Sequence, residues 1–237
     1  MKKHSYGKGE KIYVAIDCII FGFDNGTLKL LLFQRRVDPF RGDWSLIGSF
    51  VRPNENSSDA AKRILKEITG LSNIYMKELR AYTDVDRDPG ARCISIGQYA
   101  LIRIDDHDEK LAEKHGAKWF PIDELPPLVL DHEIMVEDAL KRLRAKAQFY
   151  PIGFELLPKK FTMPQLERLY AVIFQKDFDS RNFRKKLLSL GILEKLDEKD
   201  KTTSKKGAYL FRFNRSKYSS KEKKGFSIPI FKNREIL

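Results

Sequence analysis

A chain of 237 residues suits one or two domains, and a piece of about 150 residues buries roughly 70% of its unfolded surface, enough for a real core. At 42% hydrophobic and 11% aromatic, the composition excludes a disordered chain. No apolar run approaches the ~18 residues of a membrane span. The net charge of +12 is uneven: residues 1–150 hold 24 basic and 23 acidic side chains, and residues 151–237 hold 21 and 10. That asymmetry points the last third to a polyanion, nucleic acid before acidic membrane, against the plainer reading of a solvated basic tail.

Met1-Lys2-Lys3 starts like a signal peptide, but the apolar stretch after it carries Asp17 and has no small-residue cleavage site. Cys18 and Cys93 sit inside apolar runs, as buried thiols of a reducing cytoplasm do, and His4, His107, His115 and His132 have no zinc spacing. A cytoplasmic location is expected.

Tyr13 to Phe23 reads as a strand, Asp24-Asn25-Gly26 as a hairpin turn, and Leu28 to Phe33 as the returning strand. Trp44 to Ile47 is a shorter strand. Ser57 or Ser58 caps a helix over about 59–69, stopped by Gly70. Strands follow at 78–83 and 93–104, joined through Asp88-Pro89-Gly90, then a short one at 118–120 and a helix at 132–148. The Tyr150-Pro151-Ile152-Gly153 interruption, where the charge also changes, divides residues 1–150 from 151–237. Thr162 caps the next helix with Pro164 in its first turn, and Leu166, Leu169, Tyr170 and Ile173 form its apolar stripe. A second helix starts at Asp179 or Ser180 and ends at Gly191. Strands at 192–196 and 209–213 then flank a basic loop with Lys205-Lys206-Gly207. Helix, turn, basic helix and hairpin is the order of a winged helix-turn-helix, whose second helix enters the major groove while the wing meets phosphate. On that reading Ser180, Arg181, Asn182, Arg184 and Lys185 on the helix, with Lys205 and Lys206 on the wing, contact DNA. Arg and Asn are the side chains suited to bidentate pairing with guanine and adenine.

The segment from Gly48 through Glu55 and Arg63 to Leu71 resembles a Nudix box: Glu55, Arg63, Leu65, Glu67, Gly70 and Leu71 fit the family pattern. Ser49 replaces its glycine, and Ile64 and Ile68 replace two helical glutamates. The resemblance implies a Nudix-type α/β/α sandwich. In a working Nudix hydrolase those carboxylates, at i, i+3 and i+4 on one helix face, hold Mg²⁺ against a diphosphate. Mg²⁺ requires oxygen ligands, so Ile64, Glu67 and Ile68 point to no metal, no cofactor and no catalysis. Asp17, Arg35, Arg36, Trp44, Glu67, Asp86, Asp88 and Arg92 near the predicted strand ends are the candidate ligand-binding residues. Asp84-x-Asp86-x-Asp88 resembles a calcium loop, but Pro89 and the absence of the later glutamate oppose it; a plain turn is the simpler reading.

Both halves together resemble the Nudix-related transcriptional regulators over nearly the whole chain. Further resemblance lies in Asp86-Arg87-Asp88-Pro89, in Asp123-Glu124-Leu125-Pro126-Pro127 with Asp131-His132, in Arg181-Asn182-Phe183-Arg184 and in Phe211-Arg212-Phe213-Asn214. Glu124 and Asp131 are read as a helix start and cap. The resemblance implies a ligand-responsive DNA-binding regulator acting as a homodimer on an inverted-repeat duplex operator, with one family branch sensing ADP-ribose and another L-arabinose. Carboxylates without a metal would repel a diphosphate, so the expectation is a pentose-responsive repressor. The alternatives are an ADP-ribose sensor and a Nudix hydrolase with unorthodox ligands such as Glu55 and Glu67.

Overall fold

The structure, a computed structural model, describes residues 11–24, 26–104, 109–150, 152–202 and 206–222. Its centre is strand β1, Tyr13–Asp24, an almost unbroken apolar run. Such a run suits a strand covered on both faces. β1 pairs in parallel with β6, Cys93–Arg103, and antiparallel with β2, Thr27–Gln34, and β4, Ile47–Phe50. Short β3, Trp44–Ser45, and β7, Ala117–Pro121, add to β2, and β5, Lys77–Tyr82, adds to β6, giving seven strands in one sheet among the described residues. Asp24 opposes Thr27 across a two-residue loop in which Gly26 takes φ 81°, while Asn25 lies outside the described residues.

Alternation along β1 sorts its side chains by face. Ile16, Cys18 and Ile20 join the core under helix α1, Ser57–Thr69, and α2, Glu109–Lys114. Ile19, Phe21 and Phe23 join the core under α3, His132–Phe149. The result is the expected α/β/α sandwich. Both cysteines are free and buried.

Three local readings change. The α1 cap is Asn56, whose side chain accepts from the Asp59 N–H at 2.9 Å, so Ser57 and Ser58 lie inside the helix. The expected strand at 44–47 serves two partners, β2 through Trp44–Ser45 and β1 through Ile47–Phe50. It breaks at Leu46, whose N–H leaves the ladder for His132 Nδ1 at 3.1 Å. Glu124 lies in the turn after β7, its N–H donating to the Pro121 carbonyl at 3.0 Å, and starts no helix.

The C-terminal region is a winged helix. β8, Phe161–Thr162, leads into α4, Met163–Phe174, followed by α5, Ser180–Ser189. The wing strands are β9, Leu193–Asp200, and β10, Ala208–Phe213, ordered β8-β10-β9, and α6, Arg215–Glu222, follows. Leu166, Leu169, Tyr170 and Ile173 are buried as the stripe requires, in the same apolar cluster as Phe21 and Leu30 of the first domain. No helix among the described residues is long and apolar enough to cross a membrane.

Thr162 and Gln165 form a complete capping box at the start of α4. Thr162→Ala should cost about 1 kcal/mol, lowering Tm by roughly 2–4 °C for a chain of this size. Thermal unfolding followed by circular dichroism measures it.

Candidate effector site and nucleic-acid interface

The loop between β4 and α1 is held by arginines. Arg63 donates through Nη2 to Glu55 Oε1 at 2.5 Å, through Nε to Glu55 Oε2 at 2.8 Å and through Nη1 to Glu67 Oε2 at 2.9 Å. It also donates to the Phe50 carbonyl at 3.0 Å, and Arg52 donates to Glu67 Oε1 at 3.1 Å. The Arg63 hydrogen bonds pull the Glu55 carboxyl down to about 2. Both retained box glutamates are therefore engaged by guanidinium groups. Ile64 is fully buried in the cluster beneath α1, and Ile68 packs against it half-buried. The position where a third carboxylate would stand is hydrocarbon inside the core. This set does not fit Mg²⁺, and among the described residues no group of three or more His, Cys, Asp or Glu is placed to hold a metal ion.

On the opposite face of the sheet lies a buried polar network. Asp17 has the β1 parity that faces α3, and Ser95 on β6 donates to its Oδ2 at 2.6 Å. Arg87, from the β5–β6 loop, lies 3.5 Å from Asp17 and pairs with Asp131 at 2.7 and 3.0 Å. Burial works against the Arg87 charge, but the Asp131 and Asp17 carboxylates outweigh it and hold its pKa up. Asp131 occupies the N-cap position of α3 but makes no side-chain cap bond. Its carboxylate is turned to Arg87, which corrects its reading as a cap. His132 accepts from the Leu46 N–H through Nδ1, which puts its proton on Nε2, 3.7 Å from Asp17 Oδ1. Burial pushes His132 down against the pull of both carboxylates, so the ring is neutral near pH 7.

Gly48 is required here. A β-carbon at this position would lie 2.0 Å from Asp17 Oδ1.

The candidate ligand residues fall on two loops at this end of the sheet. Arg35 donates to the Pro39 carbonyl at 2.9 Å, and Arg36 is committed to the His115 carbonyl at 2.7 Å. Trp44 meets Phe120 edge-on at 4.7 Å. Across from them, Asp86 is exposed, Asp88 accepts from the Gly90 N–H at 2.8 Å, and Arg92 holds the carbonyls of Thr83, Asp84 and Cys93. A β-carbon built at Gly90 would lie 3.7 Å from Pro39 Cδ, so the two loops adjoin. Asp17 lies in the network, and Glu67 stands apart on α1. Sequence reasoning quoted Arg87 and His132 within motifs of family resemblance, gave them no role in a site, and did not single out Ser95. The physical signal for a partner was Asp17, a charge inside an apolar strand.

On the winged helix, Asp179 caps α5 by accepting from the N–H groups of Arg181 at 2.8 Å and Asn182 at 3.1 Å. Phe183 and Leu187 are buried, and Arg181, Lys185 and Leu188 form an exposed face at i, i+4 and i+7. Ser180 is exposed in the first turn; Asn182 donates its amide to Asp179 Oδ2 at 2.8 Å, and Arg184 pairs with Glu167 of α4. On the wing, Lys206 is exposed and Lys205 lies outside the described residues. Two further wing cations, Lys195 and Lys199, stand 3.7 and 4.5 Å from the Tyr209 ring centroid.

The NUDIX domain family matches residues 11–139, and the NrtR DNA-binding winged helix domain family matches residues 153–213. The chain is 28% identical over 204 residues to the ADPR responsive transcriptional repressor NtrR of Acinetobacter baylyi, covering 84% of this chain and 81% of that one. It is 36% identical over 128 residues to an ADP-ribose pyrophosphatase of Methanocaldococcus jannaschii, covering 54% and 73%. Among solved structures it resembles Shewanella oneidensis NrtR complexed with a 27mer DNA, with TM-score 0.74 and 26% identity over 87% of this chain and 95% of that one.

Arg87→Ala should destabilise the protein by about 3–5 kcal/mol, because it leaves Asp17 and Asp131 without their buried counter-ion. Urea unfolding measures it. His132 adds a pH dependence of known sign. Its folded-state pKa is depressed, so below its ordinary value of 6.5 the unfolded chain binds the extra proton. Stability should then fall by up to about 1.4 kcal/mol per pH unit as the pH drops below that value. In His132→Gln, whose amide oxygen can still accept from Leu46, the loss over that range should flatten.

Proposed function

This chain belongs to the Nudix family, and we propose that it is a DNA-binding transcriptional repressor whose Nudix domain senses ADP-ribose without hydrolysing it. Residues 1–150 form the sensor and 151–237 the DNA-binding unit. The observation that carries the reading is a Nudix loop kept in shape by Arg63 and Arg52 around two glutamates, with hydrocarbon at the other helical ligand positions, joined to a winged helix that presents a basic helix face. The Acinetobacter repressor and the Shewanella DNA complex support the DNA-binding part, and the names of both sequence relatives favour ADP-ribose over a pentose.

The arabinose expectation is withdrawn, and its physical premise fails with it. Glu55 and Glu67 are neutralised by Arg63 and Arg52, so losing the metal does not leave a bare acidic wall to repel a diphosphate. We place the ligand between the Arg35–Trp44 loop and the Asp86–Arg92 loop. Arg35 and Arg92 supply cationic charge there, Trp44 an aromatic edge, and Asp86 and Asp88 acceptors for ribose hydroxyls. Asp17, engaged internally, holds the wall, and Glu67 lies apart from it on α1. The protein works on cytoplasmic DNA as a symmetric homodimer, its two α5 helices entering major grooves about 34 Å or a multiple apart.

Fluorescence anisotropy on duplex from upstream of its own and neighbouring genes, at fixed salt, tests the reading. Specific binding that ADP-ribose shifts and L-arabinose leaves unchanged is the expected result. ADP-ribose incubated with Mg²⁺ should stay intact; turnover would instead favour the pyrophosphatase relationship. Arg181→Ala should weaken operator binding by about 1–3 kcal/mol while sparing random duplex. Lys206→Ala should weaken both alike and lower the salt slope by about one.

A further inference from the structure

A cleft of about 1130 Å³ opens between the two domains and shares no lining residue with the effector end of the sheet or with α5. Its size matches or exceeds that of ordinary small-molecule pockets. The charged groups lining it are Lys77, Arg103, Lys146, Lys159, Arg212 and Arg215, with no acidic side chain among the described residues. In a chain with 33 acidic residues against 45 basic ones, six against none concentrates the positive charge beyond the average composition. Arg212 pairs with Glu194 at 2.9 Å, whereas Lys77, Lys159 and Arg215 make no ion pair among the described residues. Gathering like charges in a concave site raises self-repulsion and focuses a positive potential that an anionic ligand relieves.

Aromatic groups accompany the charge. Phe154 and Phe213 stack within the cleft at 4.1 Å and 8°. Tyr75 and Tyr150 also line it, and Tyr75 is 81% exposed. Its ring is held by no core packing, so its face is available for a planar group. Phosphate-binding cations beside open aromatic faces are the complement of a nucleotide.

We propose that this cleft is a second ligand site, taking a nucleotide with its phosphates among Lys77, Lys159 and Arg215 and its base against Tyr75 and Tyr150. The first domain supplies Lys77, Tyr75 and Tyr150, and the winged helix region supplies Lys159 and Arg215. A bound nucleotide therefore bridges the domains and favours one pose of the winged helix over others.

The test is equilibrium dialysis of the full-length protein against ATP and against inorganic triphosphate, with and without saturating ADP-ribose. ATP binding that ADP-ribose does not displace is expected. The triple variant Lys77→Ala/Lys159→Ala/Arg215→Ala should lower ATP affinity by about a hundredfold or more, since each change removes a charge-assisted contact. Tyr75→Ala, at an exposed position that leaves the melting curve in place, should weaken ATP and spare triphosphate. No ATP binding, displacement by ADP-ribose, or a triple variant within about twofold of wild type would overturn the proposal. So would a triple variant that loses DNA affinity while keeping ATP, because the cleft would then belong to the duplex. ATP binding does not depend on the ADP-ribose reading, so either can fail alone.

Discussion

One guanidinium buried between two carboxylates sets the register of the first domain. The Arg87 side chain is 2% exposed, and an isolated charge at that depth would be strongly destabilising. Its partners come from distant parts of the chain, Asp17 from the central strand and Asp131 from the start of α3. The triad is satisfied only when loop, strand and helix are all in place. It therefore ties α3 to the sheet more specifically than apolar packing does, since hydrocarbon contacts tolerate sliding. The same demand explains the missing cap bond at Asp131 and the glycine at 48, which leaves room for the Asp17 carboxylate.

The Nudix loop shows a second form of charge compensation. In the metal-dependent arrangement a divalent cation balances a face of carboxylates. Here two of those positions are isoleucine, and the glutamates that remain are balanced by Arg63 and Arg52. Arg63 also holds the Phe50 carbonyl, so the pairs that neutralise the loop also fix its path. Loss of the metal and retention of the loop geometry are thus compatible.

The elements that residue spacing could reveal were those whose signals are local. A run of β-branched and aromatic residues gave β1, the Asp24–Gly26 turn gave its hairpin, Gly70 ended α1, and Thr162 with Pro164 opened α4. Short elements escaped: α2, β8 and α6 have too few residues to carry a period, and β3 and β4 are one run divided between partners. Six of the eight candidate residues fall on or beside the adjoining 35–44 and 86–92 loops, while Asp17 lies in the internal network and Glu67 on α1. The sequence named four of the network's members but could not join them, because positions 17, 87, 95, 131 and 132 obey no common spacing. The β1 parity, the parallel β1–β6 register, the β5–β6 loop and the docking of α3 on the sheet together bring them into contact. The argument for a sugar rested on bare carboxylates, and the arginines that neutralise Glu55 and Glu67 act through folding rather than through the box pattern.

The two domains share one core, and this restricts how a signal can travel between them. Phe21, Leu30 and Leu143 of the first domain lie in the same buried cluster as Leu169, Tyr170 and Leu187 of the winged helix. Arg144 of α3 reaches the carbonyl of Ile173 at 3.1 Å at the end of α4. A winged helix packed in this way is not on a free hinge, because changing its pose means repacking side chains that already fill the interior at crystal-like density. Motion is then a choice between discrete packings, and a ligand biases that choice only by its difference in affinity for them. Couplings of about 1–3 kcal/mol are typical, enough to change DNA affinity by roughly one to two orders of magnitude. The route from the 86–92 loop to the winged helix is short in structural terms. The loop that carries Asp86 and Asp88 also carries Arg87, and Arg87 grips the first turn of the helix whose far end meets α4. A ligand that shifts this loop works directly on α3, and through the shared core on the orientation of α5.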